Sequence, residues 1–343
     1  MNQVIELGLD TFGDITDGPD GKPLHAAQVI RNLVDQAVLA DQVGIDFIGV
    51  GEHHRADFAV SSPEMVLAAI ASRTTRIRLG SAVTVLSSDD PIRVFQRFST
   101  LDAVSNGRAE VILGRGSFIE SFPLFGLDLK QYEALFDEKL DLFAAVLKEQ
   151  PVTWQGALRA PLNNQSVYPK TESGRLTTWI GVGGTPESVM RAAHYGMPMM
   201  LAVIGGDPKR FAPLADLYRR ALDETGNAEL PVGLHSHGYV SETDTQAREE
   251  LFTDYKRMRD KIGGERGWPP MSRTDFEREI EHGSLYAGSP ETVARKIAAS
   301  MKALGITRFD MKYGAGPLPH QKLMRCIELY GTKVIPLVRD ILG

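Results

Sequence analysis

The chain has 343 residues, 43% hydrophobic and 24% charged, which is enough for a substantial core in one large domain or two small ones. Lys and Arg number 38 against 44 Asp and Glu, and the net charge of -6 gives no electrostatic reason to expect nucleic acid or an anionic membrane as partner. A small molecule is the expected ligand.

The single cysteine, Cys326, excludes an internal disulfide and sits in an amphipathic segment, where it reads as packing rather than as a nucleophile. The first residues carry acids early and no basic region followed by an apolar stretch, so they do not read as a signal peptide. The most apolar later run, around Met197 to Ile204, falls far short of the roughly 20 residues needed to span a bilayer. A soluble, cytoplasmic protein is expected.

In chain order, a first strand over Ile5 to Phe12 ends in Asp10 and Thr11 and leads into a polar loop through Pro23. Helical spacing from Ala27 to Val43 stops at Gly44. The next stretch, GIDFIGVGEHH from Gly44 to His54, is a buried strand that delivers Glu52, His53 and His54 where it leaves the core. Ser62-Pro63-Glu64 opens a helix to about Arg73, and Ile77 to Leu86 is a β-branched third strand. Asp90-Pro91 opens the third helix. Arg108 to Gly116 is the fourth strand, followed by a loop with Phe118, Phe122 and Phe125 and then a helix from Tyr132 to Lys148. Residues 151–171 break the helical spacing and read as an excursion of short strands and loop.

The alternation then resumes. Strands are predicted over Thr177 to Gly184, Pro198 to Gly206, Leu230 to Ser241 and Arg308 to Tyr313. Between them lie helices over Pro186 to Tyr195, Phe211 to Thr225, Thr245 to Lys261 and Ser289 to Leu304. The region from Arg266 to Gly288 is irregular around one shorter helix, and a last helix from His320 to Leu342 bends at Pro336. Eight strands alternating with helices predict a (β/α)8 TIM barrel as a single domain over residues 1–343, with insertions after strand four and before the last helix–strand unit. A doubly wound open sheet is the alternative, but the first strand is followed by DTFGDITDG rather than by a G-x-G-x-x-G turn.

In a barrel the active site lies at the carboxyl ends of the strands. Those ends hold Glu52, His53 and His54, then Ser81 and Thr84, Arg115, His235 and His237, and Lys312. Each alone is an ordinary solvated strand end; their convergence points to a site. The fifth strand ends in Gly183-Gly184-Thr185-Pro186-Glu187-Ser188, where glycines admit a ligand and the first helical turn presents free N–H groups to an anion. An ordinary capped turn is the alternative, since Gly288-Ser289-Pro290-Glu291 has the same form.

The segments GIDFIGVGEHHRADFAVSSP, IRLGSAVTVLSSDDPIRVFQRFSTLDAVSNGR, VILGRGSFIESFPLFG, WIGVGGTPESVMRAAHYG and AGSPETVARKI resemble, in order, the bacterial luciferase-like flavin monooxygenases. The resemblance implies a TIM barrel that binds reduced FMN, taken from a separate reductase, and uses O2 as co-substrate to oxygenate an organic molecule. Carried over by position, it makes His53 the catalytic histidine beside the flavin ring. Ser81 and Ala82 would line that ring, at a non-proline cis peptide. Arg115 would lie near the phosphate or ribityl chain, and Gly183, Gly184, Thr185 and Ser188 would form the phosphate-binding turn. The chemistry needs a dry site and a group that changes charge near neutral pH, a role suited to His53, and a fixed positive charge such as Arg115.

On a strand His53 and His54 face opposite ways, so Glu52 and His54 are expected to brace the strand end. Were His54 the one facing the mouth, the catalytic assignment would move by one residue. Phe118, Phe122 and Phe125 read first as core, with a substrate channel as the alternative. The family's usual homodimer would use Val66 to Ile70 and Val94 to Leu101. Competing readings are an F420-dependent oxidoreductase on the same fold, a non-catalytic flavin-binding relative, and a metal-dependent barrel hydrolase built on Glu52, His53, His54, His235 and His237.

Overall fold

In the computed structural model, which describes residues 4–343, eight strands pair side by side in one closed parallel ring. They are β1 (Glu6–Thr11), β2 (Phe47–Val50), β3 (Arg78–Ser81), β4 (Ala109–Gly114), β5 (Thr177–Val182), β6 (Met199–Ala202), β7 (Val232–Val240) and β8 (Arg308–Tyr313). Each pairs with its sequence neighbour, and β1 pairs with β8 to close the ring. Helices cross between consecutive strands, so the fold is a (β/α)8 barrel. Two short strands extend it, Thr84–Val85 beside β4 and Tyr286–Gly288 beside β7. The excursion after β4 contains a two-stranded antiparallel hairpin, Val152–Trp154 with Leu162–Gln165.

Two of the start signals read from sequence hold because they satisfy orphan N–H groups, whereas Ser62, at the N-cap of the Pro63–Ala71 helix, makes no side-chain capping bond. Asp90 accepts from the N–H of Ile92 and Arg93, and Ser289 from that of Thr292. Two ends differ from expectation. The helix expected to stop near Lys261 runs over Asp244–Arg266, through Gly263 and Gly264, and ends at Gly267, whose φ of 71° makes it the left-handed cap. The final helix breaks ahead of Pro336, in a π-helical turn over Tyr330–Val334 that separates His320–Leu329 from Ile335–Leu342. A proline lacks an N–H and crowds the carbonyl four residues back, so the disturbance falls on the preceding turn.

Most of the apolar core lies between the strands and the surrounding helices. Val66, Leu67, Ile70, Val94, Phe95, Phe98 and Leu101, expected at a subunit interface, belong to that core and are 7% exposed or less. They bury their apolar surface against their own barrel, which corrects the expectation that they face a second chain. Exposed apolar side chains on those two helices are Met65 and Val104. Cys326 is fully buried, and no described helix is long and apolar enough to cross a membrane.

Inside the barrel the composition is different. Phe47, Ile112, Trp179 and Met200 form a small apolar plug with Val83 against it. Beside it lies Arg308, fully buried, with Nη1 2.7 Å from Glu110 Oε1 and Nη2 2.9 Å from Asp310 Oδ2. Its guanidinium stacks 4.0 Å from the Phe47 ring centroid and 4.6 Å from that of Trp179. Removing one partner of a buried ion pair leaves the others charged and dry. Arg308→Met is therefore expected to lower stability by about 3–5 kcal/mol in urea unfolding, with partial recovery when Glu110→Gln and Asp310→Asn are added.

Candidate functional site at the barrel mouth

Strand register brings distant residues into one layer. His235 on β7 is level with Asp310 on β8, and Asp310 with Gly8 on β1; one step up, His237, Lys312 and Asp10 align in the same way. Because side chains alternate, all of these face the barrel interior. His235 Nδ1 lies 2.5 Å from Asp10 Oδ2, and Lys312 Nζ donates to Asp14 Oδ2 at 2.8 Å and to the Gly314 carbonyl at 3.1 Å.

Past the end of the neighbouring strand β2, His53 turns into an aromatic pocket. Its ring lies 4.7 Å from Phe12, 4.4 Å from Phe58 and 5.0 Å from Phe118, centroid to centroid. Its Nε2 is buried without a hydrogen-bond partner among the described residues. Burial, with help from Lys312, Arg55 and His54, pushes its pKa down to about 3, so the ring is neutral at physiological pH. Glu52 and His54 brace the strand end as expected: Glu52 Oε1 lies 2.9 Å from His54 Nε2, and Glu52 Oε2 accepts from the Val85 N–H at 3.0 Å.

Two histidines at one mouth are thus pushed in opposite directions. Burial opposes the charge on His235, but the Asp10 carboxylate outweighs it and the pKa is raised. His237 is held well below the usual value by burial, Lys312 and His235.

The cis peptide lies one bond later than expected, between Ala82 and Val83, which corrects its placement at Ser81-Ala82. Ser81 is fully buried, and its hydroxyl donates to the Ile112 carbonyl at 3.1 Å while accepting from Thr84 Oγ1 at 2.9 Å. Ser81 thus anchors the turn from behind, and Ala82 and Val83 are its inward faces. Gly49 and Gly114 make room for them: a Cβ on Gly49 would lie 2.8 Å from Ala82 Cβ, and one on Gly114 2.6 Å from Val83 Cγ2.

Across the mouth, Arg115 at the end of β4 reaches the turn after β5, where Nη2 donates to Ser188 Oγ at 3.2 Å. Ser188 Oγ lies 2.9 Å from Thr185 Oγ1. Thr185 occupies the N-cap position, but its side chain makes no capping bond to the Pro186–His194 helix. Gly183 and Gly184 are exposed, and a Cβ on Gly183 would meet nothing within 4 Å. These residues form an open cradle, and Arg115 also pairs with Glu133, which Arg191 of the Pro186–His194 helix approaches at 3.7 Å.

The three phenylalanines have separate fates: Phe118 lines the His53 pocket, Phe122 is buried against Tyr132, and Phe125 is half exposed, edge-on to His54. Arg55 joins the segments that cover the mouth, pairing with Glu120 at 2.5 Å, Asp57 at 3.1 Å and Glu265 at 2.5 Å. Sequence reading missed Arg55, Phe12 and Phe58 because single loop residues carry no periodicity. Asp10 was visible only as an acid at a strand end. Among the described residues, no group of three His, Cys, Asp or Glu side chains is arranged to hold a metal ion.

The profile of the luciferase-like monooxygenases matches residues 11–308. The chain belongs to that family. As a luciferase-like monooxygenase family member it is 29% identical over 284 residues to 4-hydroxyprotoasukamycin monooxygenase of Streptomyces nodosus subsp. asukaensis, covering 77% of this chain and 75% of that one. Its fold is similar to that of monooxygenase RslO1 from Streptomyces bottropensis, with a TM-score of 0.86, 22% identity, and 97% and 99% of the two chains covered. It is similar also to the oxygenating constituent of 3,6-diketocamphane monooxygenase from Pseudomonas putida, solved with FMN (TM-score 0.78, 19% identity, 97% and 98% covered). An F420-dependent secondary alcohol dehydrogenase shares the fold at a TM-score of 0.74, with 18% identity and 98% and 100% covered.

The low pKa of His53 has a direct readout. In a proton NMR titration its imidazole signals should not move between pH 5 and 9. Acidification below 6.5 should cost stability, because the unfolded chain takes up the proton that the buried ring refuses. A titration midpoint near 6.5 would contradict the burial of Nε2.

Proposed function

We propose that the protein is a flavin-dependent monooxygenase that uses reduced FMN and O2 to oxygenate a small organic substrate. The observation that carries this reading is the convergence of two half-sites on one barrel mouth: a neutral, unpartnered His53 in an aromatic pocket, and the Arg115, Ser188, Thr185 and Gly183-Gly184 cradle. The residues fit the cofactor. The cradle would hold the phosphate with Arg115, two hydroxyls and first-turn N–H groups, and Ala82 and Val83 would line the place of the ring. Reduced FMN, when bound, supplies the electrons with which O2 is activated for transfer of one oxygen atom to the substrate.

The chain's own contribution is positioning and dryness. Phe12, Phe58 and Phe118 exclude water from the His53 ring, and Arg55 ties the covering segments together. His53, neutral and free at Nε2, is able to hold or accept a proton there without first losing one. The reduced flavin would come from a separate reductase. A two-chain assembly belongs to the same reading, with Met65 and Val104 as the exposed apolar positions beside β2 and β3.

Flavin fluorescence titration tests the cofactor first. FMN is expected to bind in preference to F420, and no FMN binding at high micromolar concentration would sink the proposal. Arg115→Ala should weaken FMN about tenfold or more, by loss of a charge-assisted contact. Glu133→Gln, which frees Arg115 from its carboxylate partner, should strengthen it. Oxygen-electrode assays give the second check: His53→Ala should bind FMN yet lose product formation coupled to O2 uptake.

A further inference from the structure

A cavity at the other end of the barrel plays no part in the flavin reading. It measures about 550 Å³, within the range of small-molecule pockets, and lies between the carboxyl ends of the helices Tyr132–Val146 and Pro186–His194 and the start of β5. β5 begins here with Thr177 and reaches the Gly183-Gly184 turn about 20 Å away, so the cavity is remote from the mouth. Leu176 and Met197, 3% and 4% exposed, give it apolar walls, and Ala144 and Ala145 line the helix side.

Its charges are not balanced. Lys148 and Arg175 line the cavity, and neither side chain has a hydrogen-bond or ion-pair partner among the described residues. Asp141, the one carboxylate in the lining, is already engaged: Oδ2 accepts from Trp154 Nε1 at 2.8 Å and Oδ1 from the Tyr195 hydroxyl at 3.3 Å. One helical turn back, Asp137 is paired with Arg191 at 2.6 Å. His194 adds an imidazole, which donates in either protonation state. Two fixed cations against one carboxylate leave a single positive charge, which one anionic group neutralises; a second would enter unmatched. Both helix ends present carbonyls and repel an anion, so its place is beside Arg175, on the loop leading into β5, where a planar guanidinium suits a carboxylate.

We infer that this cavity binds an organic monoanion, a carboxylate carried on an apolar body, with Arg175 and Lys148 as its charge partners and Leu176 and Met197 against the body. The inference goes beyond the monooxygenase reading and does not depend on it.

Methionine-methyl NMR gives a readout confined to the cavity, the Met197 methyl signal, which is identified by its loss in Met197→Leu. Cinnamate should shift that signal saturably. It should bind about tenfold tighter than cinnamamide, which lacks the charge, and than benzylidenemalonate, which carries one charge too many. Acetate, with no apolar body, should bind more weakly than cinnamate. Arg175→Gln should weaken cinnamate about tenfold, and Ala144→Trp, which fills the cavity from the helix side, should abolish the shift in a protein whose other methyl signals stay in place. Arg115→Ala, at the mouth, should leave cinnamate binding unchanged. No saturable shift at millimolar cinnamate, equal affinity for cinnamamide, or undiminished binding in Arg175→Gln would each overturn the inference. Binding lost in Arg115→Ala but kept in Arg175→Gln would place the probe at the mouth and overturn it as well.

Discussion

A buried guanidinium sets the terms for the rest of this barrel. Arg308 is fully enclosed, yet it lies between two carboxylates and against two aromatic faces, so its charge is met on every side. Glu110 comes from β4, Asp310 from β8, Phe47 from β2 and Trp179 from β5. One side chain thus ties four strands of the ring together through its interior. Desolvation makes such a cluster costly to assemble and costlier to break in part, which favours a single register among the strands. That register is what lines up His235 with Asp310 and His237 with Lys312 and Asp10.

Above this floor the mouth divides into three environments. The apolar pocket of Phe12, Phe58 and Phe118 strips the charge from His53. Burial opposes the charge on His235 as well, but the Asp10 carboxylate outweighs it and raises the pKa. The turn after β5 and Arg115 make a cradle of backbone and hydroxyls, with the Arg115 charge shared with Glu133. Two copies of one residue type, both packed against Phe12, therefore have their pKa values moved in opposite directions, because one has a carboxylate partner and the other has none. Glycine contributes where side chains must approach closely: Gly49 and Gly114 leave space for Ala82 and Val83, so the turn between them can lean over the barrel axis.

Much of this was legible in the chain. The bounds of β8, Arg308 to Tyr313, agree with the run read from sequence, in which apolar Phe309, Met311 and Tyr313 pack towards the helices and charged Arg308, Asp310 and Lys312 alternate with them. Ser289 and Asp90 cap their helices where their residue type demands it. His53, Arg115 and the Gly183 to Ser188 turn were legible as chemistry at strand ends, because a barrel delivers its strand ends to one face. Apolar helix residues such as Phe95 and Phe98 were ambiguous, since a core face and an interface face have the same periodicity; burial against the subunit's own strands decided for the core.

The sequence by itself determined the alternation of strand and helix, the barrel, and which strand ends carry polar groups, because periodicity and capping are local and act over a few residues. Only the tertiary structure decided that Asp10 meets His235 across 225 positions of chain, and that Phe12, Phe58 and Phe118 converge on His53. It also decided that the cis bond falls after Ala82 and that the serine before it faces the strand backbone. Charge state, side-chain partner and peptide geometry depend on what is packed nearby, and in a closed barrel those neighbours come from strands far apart in the chain.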